Sequence, residues 1–208
     1  MFPLGSVLFP YMPLQLRVFE ERYLVMLSRI LETYNAQFGV VLIERGQEVG
    51  GGEERFPYGT VARITQMVAP EGFVGLIAQG EARFEVVEWL GEDPHPQADI
   101  RMLPELDWED RLLPLRERAE REVRRALARA SEFSDETWTP DVELSDDPVA
   151  AAWQLAGIAP LGPLDQVSLL RSTTMEELLD SVLEYTAAVG EAFPAEWPDE
   201  EPEEEAEQ

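Results

Sequence analysis

The sequence predicts an α+β fold in which a small β-barrel packs against a C-terminal helical bundle. The composition changes near Pro104: residues before it are rich in Gly, Val, Ile and Phe, and residues after it in Ala, Leu, Glu and Arg. Short apolar runs separated by turn residues fill the first half, and runs with helical periodicity fill the second. We therefore predict a barrel over residues 1–104, a bundle over 105–193 and a disordered acidic tail over 194–208.

The beginning of the chain is predicted to form two strands, a helix and a third strand. Residues 7–9 and 14–19 lie on either side of a proline-containing turn, and the second run alternates apolar and polar residues as strands do. Apolar residues from Phe19 to Leu31 recur with helical spacing, which predicts an amphipathic helix. The run 38–43 is continuously apolar, which is typical of a buried strand.

Four more strands are predicted before Pro104. They cover residues 58–68, 72–78, 82–89 and 98–102, with turn signals at 70–72, 79–81 and 91–96. Five to seven short strands at this spacing, with one inserted helix, indicate a small barrel.

The second half is predicted to contain four helices. Asp107 is a candidate N-cap for a helix that ends near Ala130, and residues 131–145 form a polar loop. The next two helices begin at Asp147-Pro148 and Gly162-Pro163, where proline occupies the first helical position. Thr174-Met175-Glu176-Glu177 fits a capping box and begins the last helix.

The charge balance and the missing residue types exclude several classes of function. The chain has 42 acidic and 16 basic residues, every basic residue is an arginine, cysteine is absent and His95 is the single histidine. Without lysine there is no P-loop and no Ser–Lys dyad, and without cysteine there is no thiol nucleophile or zinc finger. We expect no metal or cofactor, no nucleic-acid or membrane partner, no signal peptide, and a cytoplasmic location.

A few residues could carry chemistry or binding. His95 could act as a general base beside Asp93, but its flanking prolines favour an exposed turn without a catalytic role. Arg22, Arg63 and Arg83 are expected to form structural ion pairs. We predict that a partner is contacted by residues on turns and loops. These candidates are Tyr11, Met12, Arg45, Gln47, Glu48 and Trp138.

Several short motifs occur in one fixed order along the chain. They are Phe2-Pro3-Leu4, Val7-Leu8-Phe9-Pro10, Met12-Pro13-Leu14, Arg17-Val18-Phe19-Glu20, Arg22-Tyr23, Phe38-Gly39-Val40, Gly59-Thr60-Val61-Ala62-Arg63-Ile64, Gly80, Arg83-Phe84 and Gln166-Val167-Ser168-Leu169-Leu170. This series resembles the N-terminal, substrate-binding domain of Lon proteases. The resemblance implies a PUA-like barrel packed against helices, and a stand-alone domain without the ATPase and peptidase modules.

The resemblance also implies a function. A non-catalytic module would bind unfolded or partner protein segments and supply them to a protease system, or regulate one. Two alternatives remain: a peptidase-associated activity by analogy with the family, and, less favoured because the chain is acidic, RNA binding through the barrel.

Overall fold

The fold is described from a computed structural model, which covers residues 1–32, 36–46, 48, 52–131 and 138–192. The tail predicted for residues 194–208 lies outside this part of the chain. These residues form six strands and five α-helices; the first helix lies between the second and third strands, and the other four follow the last strand. The strands are β1 (Phe2–Leu4), β2 (Pro13–Val18), β3 (Gln37–Arg45), β4 (Glu54–Val68), β5 (Val74–Leu90) and β6 (Gln97–Met102). The helices are α1 (Glu21–Leu31), α2 (Leu113–Ala130), α3 (Pro148–Ile158), α4 (Pro163–Leu170) and α5 (Met175–Ala192).

All six strands belong to one sheet. Its hydrogen-bonded order is β1-β3-β4-β5-β2, and β6 also pairs with β5. Only β1 and β3 run parallel, and every other pair is antiparallel. The two ends of this path, β1 and β2, do not pair with each other within the described residues. The mixed α+β architecture is therefore confirmed, whereas closure into a barrel stays a prediction.

Two strand predictions were wrong. Residues 7–9 do not form a strand, because Leu8 and Phe9 instead pack into the core as extended chain. The hydroxyl of Thr60 donates a hydrogen bond of 2.6 Å to the Leu8 carbonyl, which gives this buried backbone acceptor a partner. The turn predicted at 79–81 is also absent, because β5 continues without interruption from Val74 to Leu90.

Gly80, in the middle of β5, is needed for close approach rather than for a turn. Its N–H donates to the Met12 carbonyl at 2.9 Å, and its carbonyl accepts from the Tyr11 N–H at 2.8 Å. A Cβ atom at this position would lie 2.1 Å from the Phe9 carbonyl oxygen. The absence of a side chain therefore lets the Phe9–Met12 turn lie directly against the strand.

Three of the four helix starts predicted in the second half agree with the structure, including that of α4 at Gly162-Pro163, and one differs. Asp147 caps α3 by accepting a hydrogen bond of 2.8 Å from the Ala150 N–H. The Thr174 hydroxyl accepts from the Glu177 N–H at 3.1 Å, which is one half of the predicted capping box at α5. Asp107 is not an N-cap, because a 3-10 turn at Asp110–Leu112 intervenes and α2 begins only at Leu113.

Helix α3 is buried on nearly all sides. Its alanines allow the neighbouring helices to approach closely, and Trp153 points towards the sheet, where it lies 6.2 Å from the Phe9 ring. The apolar side chains of α5 from Met175 to Leu183 are buried against α2 and α3. The core is therefore continuous from the sheet through to the last helix.

One buried cation connects the two halves. The side chain of Arg83 in β5 is fully enclosed and donates hydrogen bonds of 2.7 Å to three carbonyl oxygens, those of Pro104, Leu170 and Ser172. Its guanidinium also lies 4.8 Å from the centre of the Trp153 ring. Burial lowers the pKa of Arg83 to about 10, so the side chain remains charged at neutral pH. The expected ion pair is therefore replaced by a cage of carbonyls and an aromatic ring.

We expect Arg83→Lys to lower the free energy of unfolding by about 2 kcal/mol or more. A single ammonium cannot reproduce the planar guanidinium fork, so buried carbonyls would be left without a donor. Urea unfolding followed by tryptophan fluorescence measures the loss. Arg101→Lys is the matched control, because Arg101 forms an exposed pair with Glu85, and it should change stability by less than about 0.5 kcal/mol.

Gly80→Ala should also destabilise the fold, by about 2 kcal/mol or more, because the new methyl group collides with backbone rather than with a movable side chain. Thermal unfolding would reveal it as a lower Tm. Gly91→Ala serves as the control, since a Cβ there meets nothing within 4 Å. Equal Tm values for the two variants would contradict the close-approach explanation.

Candidate functional site

The sheet has two apolar faces that differ in how they are covered. Residues such as Phe38, Val40 and Ala62 point into the main core beneath α1 and the helical half. On the opposite face, Val41 and Phe84 belong to a second, smaller apolar cluster. Successive side chains of a strand point to opposite faces of the sheet, so Val40 faces the main core and its neighbour Val41 faces the second cluster.

Gly59 makes room for the smaller cluster. A Cβ atom on Gly59 would lie 2.1 Å from the Val40 carbonyl oxygen and 2.7 Å from the tip of the Phe84 ring. The tip of the buried Phe84 ring therefore occupies the space that a side chain at position 59 would need. It supports the floor of the second face.

An open groove with a volume of about 610 Å³ lies on this second face. Three of its apolar side chains remain well exposed: Leu90 at 42%, Ile100 at 40% and Met102 at 49%. Gln37, Glu81 and Gln97 add polar groups. Glu81 is already engaged, because it accepts hydrogen bonds from Gln37 and Arg63. The groove thus combines an apolar surface with an acidic rim, as polypeptide-binding sites often do.

Within the described residues, the groove is lined by none of the residues that were predicted to bind a partner. Tyr11 is 37% exposed and lies in a separate narrow cleft beside Trp153. Partial burial raises the pKa of its hydroxyl, and the nearby Glu105 and Asp147 carboxylates add smaller effects in the same direction. Met12 is buried, with its thioether over Gly157, so it packs the sheet against α3 and presents little surface to a partner.

The remaining predicted residues are scattered. Arg45 is exposed at the end of β3, 4.0 Å from Glu54. Glu48 accepts a hydrogen bond from the Gly5 N–H through its carboxylate, and its carbonyl accepts from Arg22 at 3.3 Å. Gln47 lies outside the described residues, and Trp138 is 41% exposed.

The sequence reasoning missed the exposed groove residues. Ala98, Ile100 and Met102 alternate with polar residues, and this alternation correctly predicted β6. Alternation identifies an apolar face but says nothing about whether another element covers it. The missing information is the position of distant parts of the chain.

Two features are absent from the described part of the chain. No group of three or more His, Asp or Glu side chains there is arranged to hold a metal ion. In the same part of the chain, no helix has both the length and the apolar character that crossing a bilayer requires.

Comparison with known proteins gives a consistent picture. The family described as "ATP-dependent protease La (LON) substrate-binding domain" matches residues 1–188. The Lon protease of Cytophaga hutchinsonii is 31% identical over 102 residues, which are 48% of this chain and 12% of that protein. The chain therefore resembles only a small part of that relative.

Two solved structures share the fold. A Lon N-terminal domain protein from Xanthomonas campestris has a TM-score of 0.60 and 25% identity, with 88% of this chain and 95% of that chain covered. The N-terminal domain of a Mycobacterium avium complex Lon protease has a TM-score of 0.60 and 17% identity, with 89% and 96% covered. Because the sequence identity to the Mycobacterium protein is 17%, this similarity shows a shared fold only.

His95 does not occupy the exposed turn that its neighbouring prolines suggested. The side chain is 9% exposed, and its Nδ1 lies 3.2 Å from the Pro96 carbonyl oxygen. Burial is the main cause that lowers the pKa of His95 below its ordinary value, and the nearby Arg29 acts in the same direction. The imidazole is therefore a packed side chain whose burial disfavours the charged form.

This burial predicts a pH dependence of stability. The folded protein binds a proton at His95 less readily than the unfolded chain does, so the free energy of unfolding should fall as the pH drops through about 6.5. Urea unfolding at pH 7.5 and at pH 5.5 measures the difference. His95→Gln should lose less stability over this interval than the wild type, because the other groups that titrate there are common to both. The chief one is the Met1 ammonium, whose pKa burial lowers to about 6. Equal losses would show that His95 does not titrate differently in the two states.

Proposed function

The chain belongs to the family of the Lon substrate-binding domain, and from this premise we propose that it is a non-catalytic module that binds exposed segments of unfolded or partner proteins. Its role would be to recognise substrates for a protease system or to regulate one. The family is named for substrate binding, and its match extends over nearly the whole chain.

The groove on the second face of the sheet is the observation that carries this proposal. Ile100, Met102 and Leu90 are large apolar side chains that remain 40% or more exposed, and all three line the groove. Isolated exposed apolar residues are ordinary, but a contiguous group in a groove is typical of an interaction site. Covering such side chains would contribute roughly 1 kcal/mol each, which suits weak and broadly specific capture.

Other parts of the proposal rest on less direct support. The PUA-like character of the sheet is proposed from the family resemblance, and so is a role beside a protease. Tyr11, Arg45, Glu48 and Trp138 are exposed enough to add contacts outside the groove. They are proposed as secondary contacts, whereas the groove supplies the principal one.

Binding to an unfolded protein of known charge tests the proposal. Reduced and carbamidomethylated ribonuclease A is unfolded, and native ribonuclease A serves as a partner of nearly the same charge. We expect the chain to bind the unfolded form, and Ile100→Asp or Met102→Asp to weaken this binding about tenfold or more by placing a carboxylate in the groove. Fluorescence anisotropy of the labelled ribonuclease gives the Kd.

Leu164→Asp is the matched control for these variants. Leu164 is 66% exposed on α4, so the substitution adds the same charge outside the groove and should leave the Kd unchanged. All three variants change exposed side chains, and equal Tm values would show that folding is intact. Equal loss of binding in the groove variants and in Leu164→Asp would contradict the groove as the site.

A further inference from the structure

The outer edge of β6 borders the groove. Within the described residues, β6 pairs with β5 along one edge only, and no backbone hydrogen bond from another segment reaches the second edge. An unpaired strand edge carries free N–H and C=O groups that can pair with another extended chain.

The register shows which groups point outward. The Leu103 N–H donates to the Arg83 carbonyl at 2.9 Å, so Arg83 and Leu103 form a hydrogen-bonded pair. Hydrogen-bonded and non-hydrogen-bonded pairs alternate along an antiparallel ladder. Met102, opposite Phe84, and Ile100, opposite Val86, are therefore non-hydrogen-bonded positions. Their backbone N–H and C=O groups point away from β5 and towards the open side.

The same two residues place their side chains in the groove. Ile100 and Met102 line it and are 40% and 49% exposed. A chain that paired with their backbone would lie beside them in the sheet, with every second side chain on the groove face. Backbone pairing and apolar contact would therefore be made by one extended segment in one register.

The other face of the β5–β6 ladder carries an uncompensated negative charge. Asp99 lies directly opposite Glu88, both side chains are exposed, and neither forms an ion pair within the described residues. Like charges that face each other across a ladder are destabilising. Glu85, on the same strand, is already paired with Arg101. A cationic side chain on this face of an added strand would relieve the repulsion.

We propose that β6 captures clients by strand addition, taking an extended segment in which apolar residues alternate with basic ones. This inference rests on the proposed function and specifies its client. A second copy of the chain is disfavoured as the occupant, because each copy has a net charge of −26 and adds two more carboxylates beside Glu88 and Asp99. A basic segment has the complementary charge.

Peptides with blocked backbone donors test strand addition directly. The parent probe is a capped, dye-labelled heptapeptide in which four valines alternate with three arginines. One derivative is N-methylated on two valines and the other on two arginines, so each loses the N–H groups along one edge only. We expect the parent to bind, one derivative to lose affinity about tenfold or more, and the other to bind almost as well as the parent.

A peptide with glutamate in place of arginine tests the charge pattern. It should bind at least about tenfold more weakly than the parent, because it would bring further carboxylates to Glu88 and Asp99. In the Glu88→Gln, Asp99→Asn double variant, the two peptides should differ less in affinity, because the two carboxylates that distinguish them are gone. Equal binding of both peptides to the wild-type chain would overturn the proposed client chemistry.

The remaining outcomes separate this inference from the proposed function. If both N-methylated peptides bind like the parent, the groove takes side chains without backbone pairing, and strand addition fails while the proposed function stands. If unfolded ribonuclease binds but the parent peptide does not, the client pattern is wrong. If neither binds, both proposals fail. A dimer in sedimentation that the peptide dissociates would make a second copy the occupant and overturn the inference.

Discussion

The buried guanidinium of Arg83 is the constraint on which the arrangement of the two halves depends. A cation without a carboxylate partner is stable in the interior only where several dipoles converge on it. Here they come from Pro104, at the end of the sheet segment, and from Leu170 and Ser172, at the turn between α4 and α5. These hydrogen bonds join the helical half to the sheet at one defined point. Because the next residue, Phe84, points to the opposite face, the same short piece of β5 also supports the floor of the groove.

Features that depend on neighbouring residues were predictable from the sequence. Asp147 caps α3, and the Thr174 hydroxyl accepts a hydrogen bond at the start of α5. Periodicity identified the buried face of α5 and of the middle of α1, whereas Phe19 and Leu31 at the ends of the predicted α1 face are exposed. Features that depend on distant contacts were not. Gly80 has the same local pattern as a turn glycine, yet it lies within a strand because the Phe9–Met12 segment crosses it. Asp107 resembles an N-cap, but a 3-10 turn delays the start of α2.

The prediction of the candidate site was limited in the same way. Tyr11, Glu48 and Trp138 were selected because loops and exposed aromatic residues often contact partners, and that reasoning is local. The groove arises instead from the regular alternation of β6, and only the folded sheet shows that Ile100 and Met102 are left uncovered. Burial of Met12 has a similar origin, since a methionine between prolines can be identified as packed only when α3 is in place.

Charge distribution and backbone geometry together determine how selectively the β6 edge and the groove can bind a polypeptide. Residues 1–104 contain 14 acidic and 8 basic residues, whereas residues 105–208 contain 28 and 8, so the helical half repels acidic polypeptides more strongly than the sheet does. Backbone pairing at β6 makes no demand on client sequence, since every residue except proline offers the same groups. Discrimination must therefore come from alternate side chains, with apolar ones over the groove and basic ones near Asp99 and Glu88.

The apolar and backbone contributions are short-range and persist at high salt, whereas the charge contribution fades within about 10 Å at 0.1 M salt. Raising the salt should accordingly broaden the range of clients rather than abolish binding, which distinguishes this surface from a purely electrostatic one.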